Sequence, residues 1–258
     1  MRIHYLATVA AVAMSTVAAT PVVRGQLAAH GPSGVVMGHL HLTSADAAAS
    51  RAFWTSLGAA AVQNGNLQLL QLPGTFVMVR QGQPGGGSAG STTDHVTFRV
   101  RDAAGWAKSA GVTIENGSAT APDGIVVRVI GDPGLTSASR MESISIATMV
   151  PDEAQAWYVK QFGAAPGKAG GLAVADLPGV RLEFVRAAAA PAPTKGRALD
   201  HIGFEVRNLE EFCKKLEGSG QKLDRPFTRL PNSVTAIAFL TDPWGTYIEL
   251  TENLAPPK

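Results

Sequence analysis

The chain repeats one structural plan four times. Each segment opens with a short apolar strand, continues into a helix that ends at a glycine, and finishes with two or three further strands. The opening strands are predicted at 36–42, 94–100 and 142–146 and from residue 200 onward. Such self-similarity indicates one supersecondary unit whose copies bury their apolar faces against each other. The repetition therefore favours an α+β protein built from four modules.

Residues at the helix ends support this division. Helices are predicted at 47–57, from about residue 103, at 151–161 and at 209–216. Ser44 and Asn208 suit the N-cap position, and Pro151 suits a first helical turn. A glycine follows each predicted helix and adopts the left-handed conformation of a C-cap at little cost. These glycines are Gly58, Gly111, Gly163 and either Gly218 or Gly220.

Two runs near the C-terminus carry the strongest functional signal. Segments 199–206 and 242–250 alternate apolar and polar residues, a pattern typical of half-buried strands. His201 lies inside the first run and Glu249 inside the second. An ionised carboxylate buried without a partner is very costly, and a cation that bridges the two side chains would remove that cost. The pair predicts a metal or ligand site.

The first 25 residues have the layout of a secretory signal peptide: a basic start, an apolar core and small residues. We therefore expect a soluble periplasmic or secreted protein, with no other segment suited to spanning a membrane. Without these residues the chain has 20 basic and 20 acidic side chains, which gives no positive excess for nucleic acid. Cys213 is the single cysteine, so the chain cannot form an internal disulfide. The expected partner is a small molecule, and the expected state is a monomer or homodimer.

With a histidine in the opening strand and an Asp-Pro-x-Gly-x-x-x-Glu ending, the modules resemble the vicinal oxygen chelate superfamily over residues 36–252. That superfamily includes glyoxalase I, bleomycin-resistance proteins and extradiol dioxygenases. The resemblance implies four tandem βαβββ modules that pair into two cup-shaped mixed sheets, with the helices packed outside. It also implies one domain at 36–130, with a degenerate second module, and another at 141–252.

The resemblance places metal ligands on the first and last strands of each module. The first-strand positions hold His39, His95, Ser143 and His201, and the last-strand positions hold Met78, Arg128, Glu183 and Glu249. An arginine is a permanent cation and cannot bind a divalent metal, and serine is a poor substitute for histidine. We therefore expect at most one working site per chain, with one divalent ion of Fe, Mn or Zn.

Two pairings of the modules remain open at this stage. If the first module pairs with the fourth, as in single-chain fused glyoxalases, the site holds His39, His201 and Glu249. If the third pairs with the fourth, as in extradiol dioxygenases, Glu183 replaces His39. His41 lies on the same strand face as His39, so either histidine is a candidate ligand.

Two functions are compatible with these residues. The first is a metal-dependent enzyme of lyase, isomerase or dioxygenase type, in which the ion holds two vicinal oxygens and stabilises a developing oxyanion. Glu183, if it is not a ligand, is then the candidate catalytic base. The alternative is a metal-free protein that sequesters a small ligand, as bleomycin-resistance proteins do. Phe239 stands where the resemblance to extradiol dioxygenases requires a tyrosine, which argues against ring cleavage by their route.

Overall fold

The computed structural model describes residues 27–255 of the 258-residue chain. The predicted signal peptide, 1–25, lies outside the described residues. Within the described range no helix is long and apolar enough to cross a membrane.

The four predicted modules are all present as helices and strands. The first consists of β1 (Val35–Ser44), α1 (Ala47–Ser56), β2 (Ala60–Asn64), β3 (Leu67–Leu72) and β4 (Thr75–Gln81). The second consists of β5 (His95–Val100), α2 (Ala103–Ala110), β6 (Ser118–Ala121) and β7 (Ile125–Gly131). The third consists of β8 (Ser139–Thr148), α3 (Pro151–Phe162), β9 (Ala165–Ala169), β10 (Leu172–Leu177) and β11 (Val180–Arg186). The fourth consists of β12 (Leu199–Val206), α4 (Leu209–Gly218), β13 (Leu223–Arg229), β14 (Ala236–Thr241) and β15 (Tyr247–Glu252).

The strands form two mixed sheets, which confirms the predicted fold class. The first sheet has eight strands in the order β13-β14-β15-β12-β1-β4-β3-β2, and the second has seven in the order β6-β7-β5-β8-β11-β10-β9. The first module therefore pairs with the fourth, through antiparallel β1 and β12, and the second pairs with the third, through antiparallel β5 and β8. The second module contributes one strand fewer, in keeping with its degenerate sequence.

The helices pack between modules that are neighbours in sequence. In the N-terminal half, Trp54 lies 5.8 Å from Phe98 between ring centroids, and Trp106 Nε1 donates to Ser56 Oγ. In the C-terminal half, the Phe162 and Phe204 rings lie 5.0 Å apart. The first two modules thus contribute strands to both sheets, and so do the last two. Aromatic contacts link the first module to the second and the third to the fourth. Both sheets contain strands from each of the two domains predicted from the sequence, 36–130 and 141–252, so that division stays a prediction.

The helix ends follow the predictions closely, with corrections at two N-caps. Asn208 occupies the N-cap of α4 as predicted, but its side chain makes no capping hydrogen bond. Gly111 and Gly163 adopt left-handed conformations directly after α2 and α3. The prediction of Ser44 as the N-cap of α1 is wrong, because Asp46 occupies that position and its side chain accepts a hydrogen bond from the Ala49 amide. Ser44 is the last residue of β1, and its hydroxyl donates to Asp123 instead.

Candidate metal centre

Three histidines and one glutamate converge on one face of the first sheet. His39 and His41 lie on β1, His201 on the adjacent β12, and Glu249 on β15 beyond it. The register places His41 opposite His201, and Gly203 opposite both His39 and Glu249. One ligand atom from each of the four side chains lies within 4.8 Å of the others. This arrangement could hold a metal ion.

The distances between the ligand atoms match those around a bound divalent ion. Glu249 Oε2 lies 3.0 Å from His39 Nε2 and 2.9 Å from His201 Nε2. Ligands about 2.1 Å from a metal at right angles to each other are separated by about 3.0 Å, so both of these distances are compatible with ligation of one ion.

Residue 203 is a glycine for a steric reason. A Cβ atom built on Gly203 would overlap three atoms of the His39 imidazole. The His39 ring is fully buried and lies over the β12 backbone at this point. The missing side chain thus provides the space in which the ring approaches Glu249.

A second carboxylate supports His201 from behind. Asp200 Oδ1 lies 2.6 Å from His201 Nδ1, while its Oδ2 accepts a hydrogen bond from the Gly196 amide at 2.6 Å. A carboxylate on one ring nitrogen fixes the tautomer, so that the other nitrogen is free to bind a metal. The Nε2 atom of His201 therefore faces the cluster as a ligand atom.

The electrostatics separate the roles of the cluster residues. Burial would raise the pKa of Glu249, but hydrogen bonds from His201 and His39 outweigh it and hold the pKa well below its ordinary value. Burial would lower the pKa of His201, but its contacts with Asp200 and Glu249 raise it. Burial, followed by the neighbouring histidines, lowers the pKa of His41 to about 3. Glu249 is therefore ionised and His41 neutral near pH 7, the forms in which they bind metals.

The Asp-Pro turn of the sequence motif positions Glu249. Asp242 Oδ1 accepts hydrogen bonds from the amides of Trp244 and Thr246, and its other oxygen accepts from the Tyr158 hydroxyl at 2.8 Å. Gly245 has φ +101°, a conformation that favours glycine. The motif aspartate thus holds the turn that starts β15, and the motif glutamate projects from that strand.

The structure brings together three of the four residues predicted for the site. His39, His201 and Glu249 share the cluster, whereas Glu183 lies on β11 in the second sheet. Glu183 is therefore not part of this centre, because the first module, and not the third, pairs with the fourth. The second sheet also carries the remaining ligand-position residues of the middle modules, which are His95, Arg128 and Ser143.

His41 and Asp200 complete the set of residues that the sequence left open. His41 joins the cluster together with His39, so the choice between them does not arise. In the parallel β1–β4 register, Met78 lies opposite His41 at the position where the module repeat predicts a carboxylate. A histidine next to the missing carboxylate was the signal for a fourth ligand, and the Asp200-His201 dipeptide was the signal for the supporting carboxylate.

Comparisons with known proteins agree with the fold. Residues 140–250 match the model of the Glyoxalase/Bleomycin resistance protein/Dioxygenase superfamily. Glyoxalase I from Zea mays has a TM-score of 0.64 at 15% identity, covering 85% of this chain and 92% of that one. A mutant of the same enzyme has a TM-score of 0.67 at 16% identity, covering 85% and 94%.

The curated relatives match over a shorter stretch. The lactoylglutathione lyases of Escherichia coli O157:H7 and Shigella flexneri are each 38% identical over 58 residues, which is 22% of this chain. The match spans 43% of the length of those relatives.

Fold and site together define an α+β protein of four tandem modules, with a histidine and glutamate cluster on one of its two sheets. Residues 140–250 thus resemble the Glyoxalase/Bleomycin resistance protein/Dioxygenase superfamily, and the described residues are glyoxalase-like in fold.

Proposed function

We propose that the protein binds one divalent metal ion through His39, His41, His201 and Glu249 and uses it to hold a small molecule by two vicinal oxygens. The convergence of three imidazoles and one carboxylate on the first sheet carries this proposal. The relatives named lactoylglutathione lyase, which match 22% of this chain, are compatible with it.

The donor set fits a transition metal better than magnesium or calcium. Imidazole suits Zn, Fe, Cu and Ni, whereas Mg²⁺ and Ca²⁺ prefer oxygen ligands. We propose Fe, Mn or Zn, with Mn least favoured by the nitrogen-rich set. An octahedral ion with four protein ligands keeps two positions for a chelating substrate. A bound divalent ion would supply Lewis-acid stabilisation of negative charge on a substrate oxygen.

Replacement of a carboxylate by His41 changes the charge of the centre. With Glu249 as its single anionic ligand, a divalent centre keeps one net positive charge. A second carboxylate at the Met78 position would have made it neutral. The remaining positive charge favours an anionic chelating ligand.

Two carboxylates contact the imidazoles of the cluster, and neither is free to act as a catalytic base. Glu249 faces the ligand atoms, and Asp200 orients His201. Both lie in the first sheet, whereas Glu183 is in the second. This geometry favours polarisation of the substrate by the metal, with Asp200 as a positioning residue, over a reaction that requires Glu183 as base.

The test is the metal content of the purified protein and of single variants, measured by inductively coupled plasma mass spectrometry. The wild type should contain one divalent ion per chain, and His201→Ala and Glu249→Ala should lose it. His95→Ala, in the second sheet, is the matched control and should retain full content. Two ions per chain would show that the second sheet also holds a metal, contrary to the proposal.

The alternative function is a metal-free binding protein. The aromatic side chains Phe239 and Tyr247 beside His201 are the observation that favours it, because apolar walls with a few polar groups are typical of ligand pockets. A wild type that binds no divalent ion, even after reconstitution, would support this alternative and exclude the metal-dependent function.

We also propose that residues 1–25 act as a cleavable signal peptide and that the mature protein is exported. The basic start and short apolar core at the N-terminus support this proposal. Expression in a Gram-negative host should give a periplasmic protein whose N-terminus lies between residues 20 and 30. Recovery of the intact chain from the cytosol would contradict it.

A further inference from the structure

Two aromatic rings form a wall next to the metal ligands. Phe239 on β14 and Tyr247 on β15 stack on each other, with centroids 5.1 Å apart and an interplanar angle of 22°. Both rings meet the His201 imidazole edge-on, at 5.4 Å and 5.6 Å. Tyr247 is two residues before Glu249 on the same strand face. The aromatic wall, defined as Phe239 and Tyr247, thus borders the cluster directly.

The wall keeps part of its surface exposed. Both rings are intermediate in exposure, whereas Phe162 of α3 and Phe204 of β12, which pack against each other, are fully buried. An aromatic pair with only a structural role would be expected to be buried in the same way. A stacked pair that stays partly exposed beside the ligand atoms offers a flat apolar surface to a bound molecule.

Lys195 adds a positive charge to this wall. Its Nζ atom lies 4.3 Å from the centroid of the Tyr247 ring, and the residue is exposed. No salt bridge to a carboxylate within residues 27–255 engages Lys195, and Asp224, whose charge acts on Tyr247, accepts a hydrogen bond from the Thr241 hydroxyl at 2.5 Å. The ammonium group is therefore available to a ligand.

The backbone next to Lys195 is anchored to β15. Thr194 Oγ1 accepts a hydrogen bond from the Tyr247 amide at 2.9 Å, and the Thr194 amide donates to the Gly245 carbonyl at 3.1 Å. Pro193 packs against Gly245. These contacts hold the backbone next to Lys195 against the start of β15, so the Lys195 side chain begins within reach of the Tyr247 ring.

We propose that the aromatic wall and Lys195 select the ligand of the metal centre. The ligand class is a chelator with two vicinal oxygens and a planar aromatic group that carries a second negative charge. The oxygens bind the metal, the ring lies against Phe239 and Tyr247, and the distal anion pairs with Lys195. This inference rests on the proposed metal site and names the substrate class for it.

Hydroxamates provide probes that separate these contributions. Acetohydroxamate and benzohydroxamate share one chelating head and differ in the phenyl ring, and 4-carboxybenzohydroxamate adds the distal anion. Zn²⁺-loaded protein is titrated with each probe by isothermal titration calorimetry. Burial of the ring should make benzohydroxamate bind about 10-fold more tightly than acetohydroxamate. The carboxylate should add a further gain of about 3-fold that weakens with salt.

Each variant should remove one contribution and leave the metal in place. Lys195→Gln should abolish the gain from the carboxylate alone, and its matched control is Lys168→Gln on β9 of the second sheet. Phe239→Leu and, as a second variant, Tyr247→Leu should reduce the preference for the phenyl ring. Metal content is measured in parallel for all four variants.

The outcomes separate the two proposals. Full metal content with equal affinity for all three hydroxamates would overturn the ligand class and leave the metal site intact. The ligand class would also be overturned if Lys195→Gln and Lys168→Gln had the same affinities for the three probes. A wild type that takes up no metal would overturn both the proposed function and this inference.

Discussion

Substitution of Gly203 by alanine should test the geometry of the metal centre directly. Gly203 lacks a positive φ, so alanine fits its backbone, but the new Cβ would overlap the His39 ring. The ring must move by about an ångström or more to restore normal contact distances. Metal sites tolerate shifts of only about 0.2 Å in ligand distance, so His39 should cease to be an effective ligand.

The size of the effect follows from this displacement. Overpacking a buried site costs about 1–3 kcal/mol, and we expect that loss of unfolding free energy without metal. Loss of a residue that orients a metal ligand typically weakens metal binding by about 10–100-fold. Displacement of the ligand His39 itself should therefore weaken binding by about 100-fold. At a metal concentration 100 times the wild-type Kd, the ion stabilises the wild type by about 2.7 kcal/mol and a 100-fold weaker variant by about 0.4 kcal/mol.

Thermal unfolding with and without Zn²⁺ measures both quantities. For a chain of this size 1 kcal/mol corresponds to about 2–4 °C, so zinc should raise the wild-type Tm by about 5–10 °C and that of the variant by about 1–2 °C. Gly131→Ala is the matched control, because Gly131 ends a strand of the second sheet and has open space at its Cβ position.

A double-mutant cycle distinguishes the steric cause from a general loss of stability. Once the ring is removed in His39→Ala, the added Gly203→Ala should cost little, because the overlapping atoms are gone. Additive losses of metal binding in the double variant would refute the steric reasoning, as would a Gly203→Ala protein with wild-type zinc affinity.

Three further predictions concern individual side chains. His41→Ala should weaken metal binding by roughly 10-fold or more without abolishing it, because Glu249 and the two histidines in direct contact with it, His39 and His201, remain; unchanged affinity in a competition titration would remove His41 from the set. Asp200→Asn should weaken metal binding by about 10–100-fold although every ligand is present, and an unaltered affinity would argue against its orienting role. Burial raises the pKa of Cys213 to about 11, so this buried thiol should resist iodoacetamide at pH 8 until the protein is unfolded; rapid alkylation of the native protein, detected by mass spectrometry, would contradict this.

The sequence alone determined the parts of the structure that depend on local periodicity. Strand alternation and glycine caps indicated four modules, and the predicted helix ends agree with the structure to within about two residues. The exception is the N-cap of α1, which is Asp46 and not the predicted Ser44. The resemblance also predicted His39, His201 and Glu249 as ligands, because a ligand position within a module is a matter of spacing along one strand, and the structure brings these three side chains together.

The tertiary structure decided which modules meet. The sequence was compatible with Glu183 or His39 as the partner of His201, because each choice requires a different strand beside β12. The contact between β1 and β12 joins residues about 160 positions apart, and its register shifts between Met37 and His39. A one-residue shift in register moves a side chain to the opposite face of a sheet. Local pattern placed His41 on the same face as His39, but it could not show that both lie beside His201 or that Gly203 makes room for His39, since both depend on how distant strands are aligned.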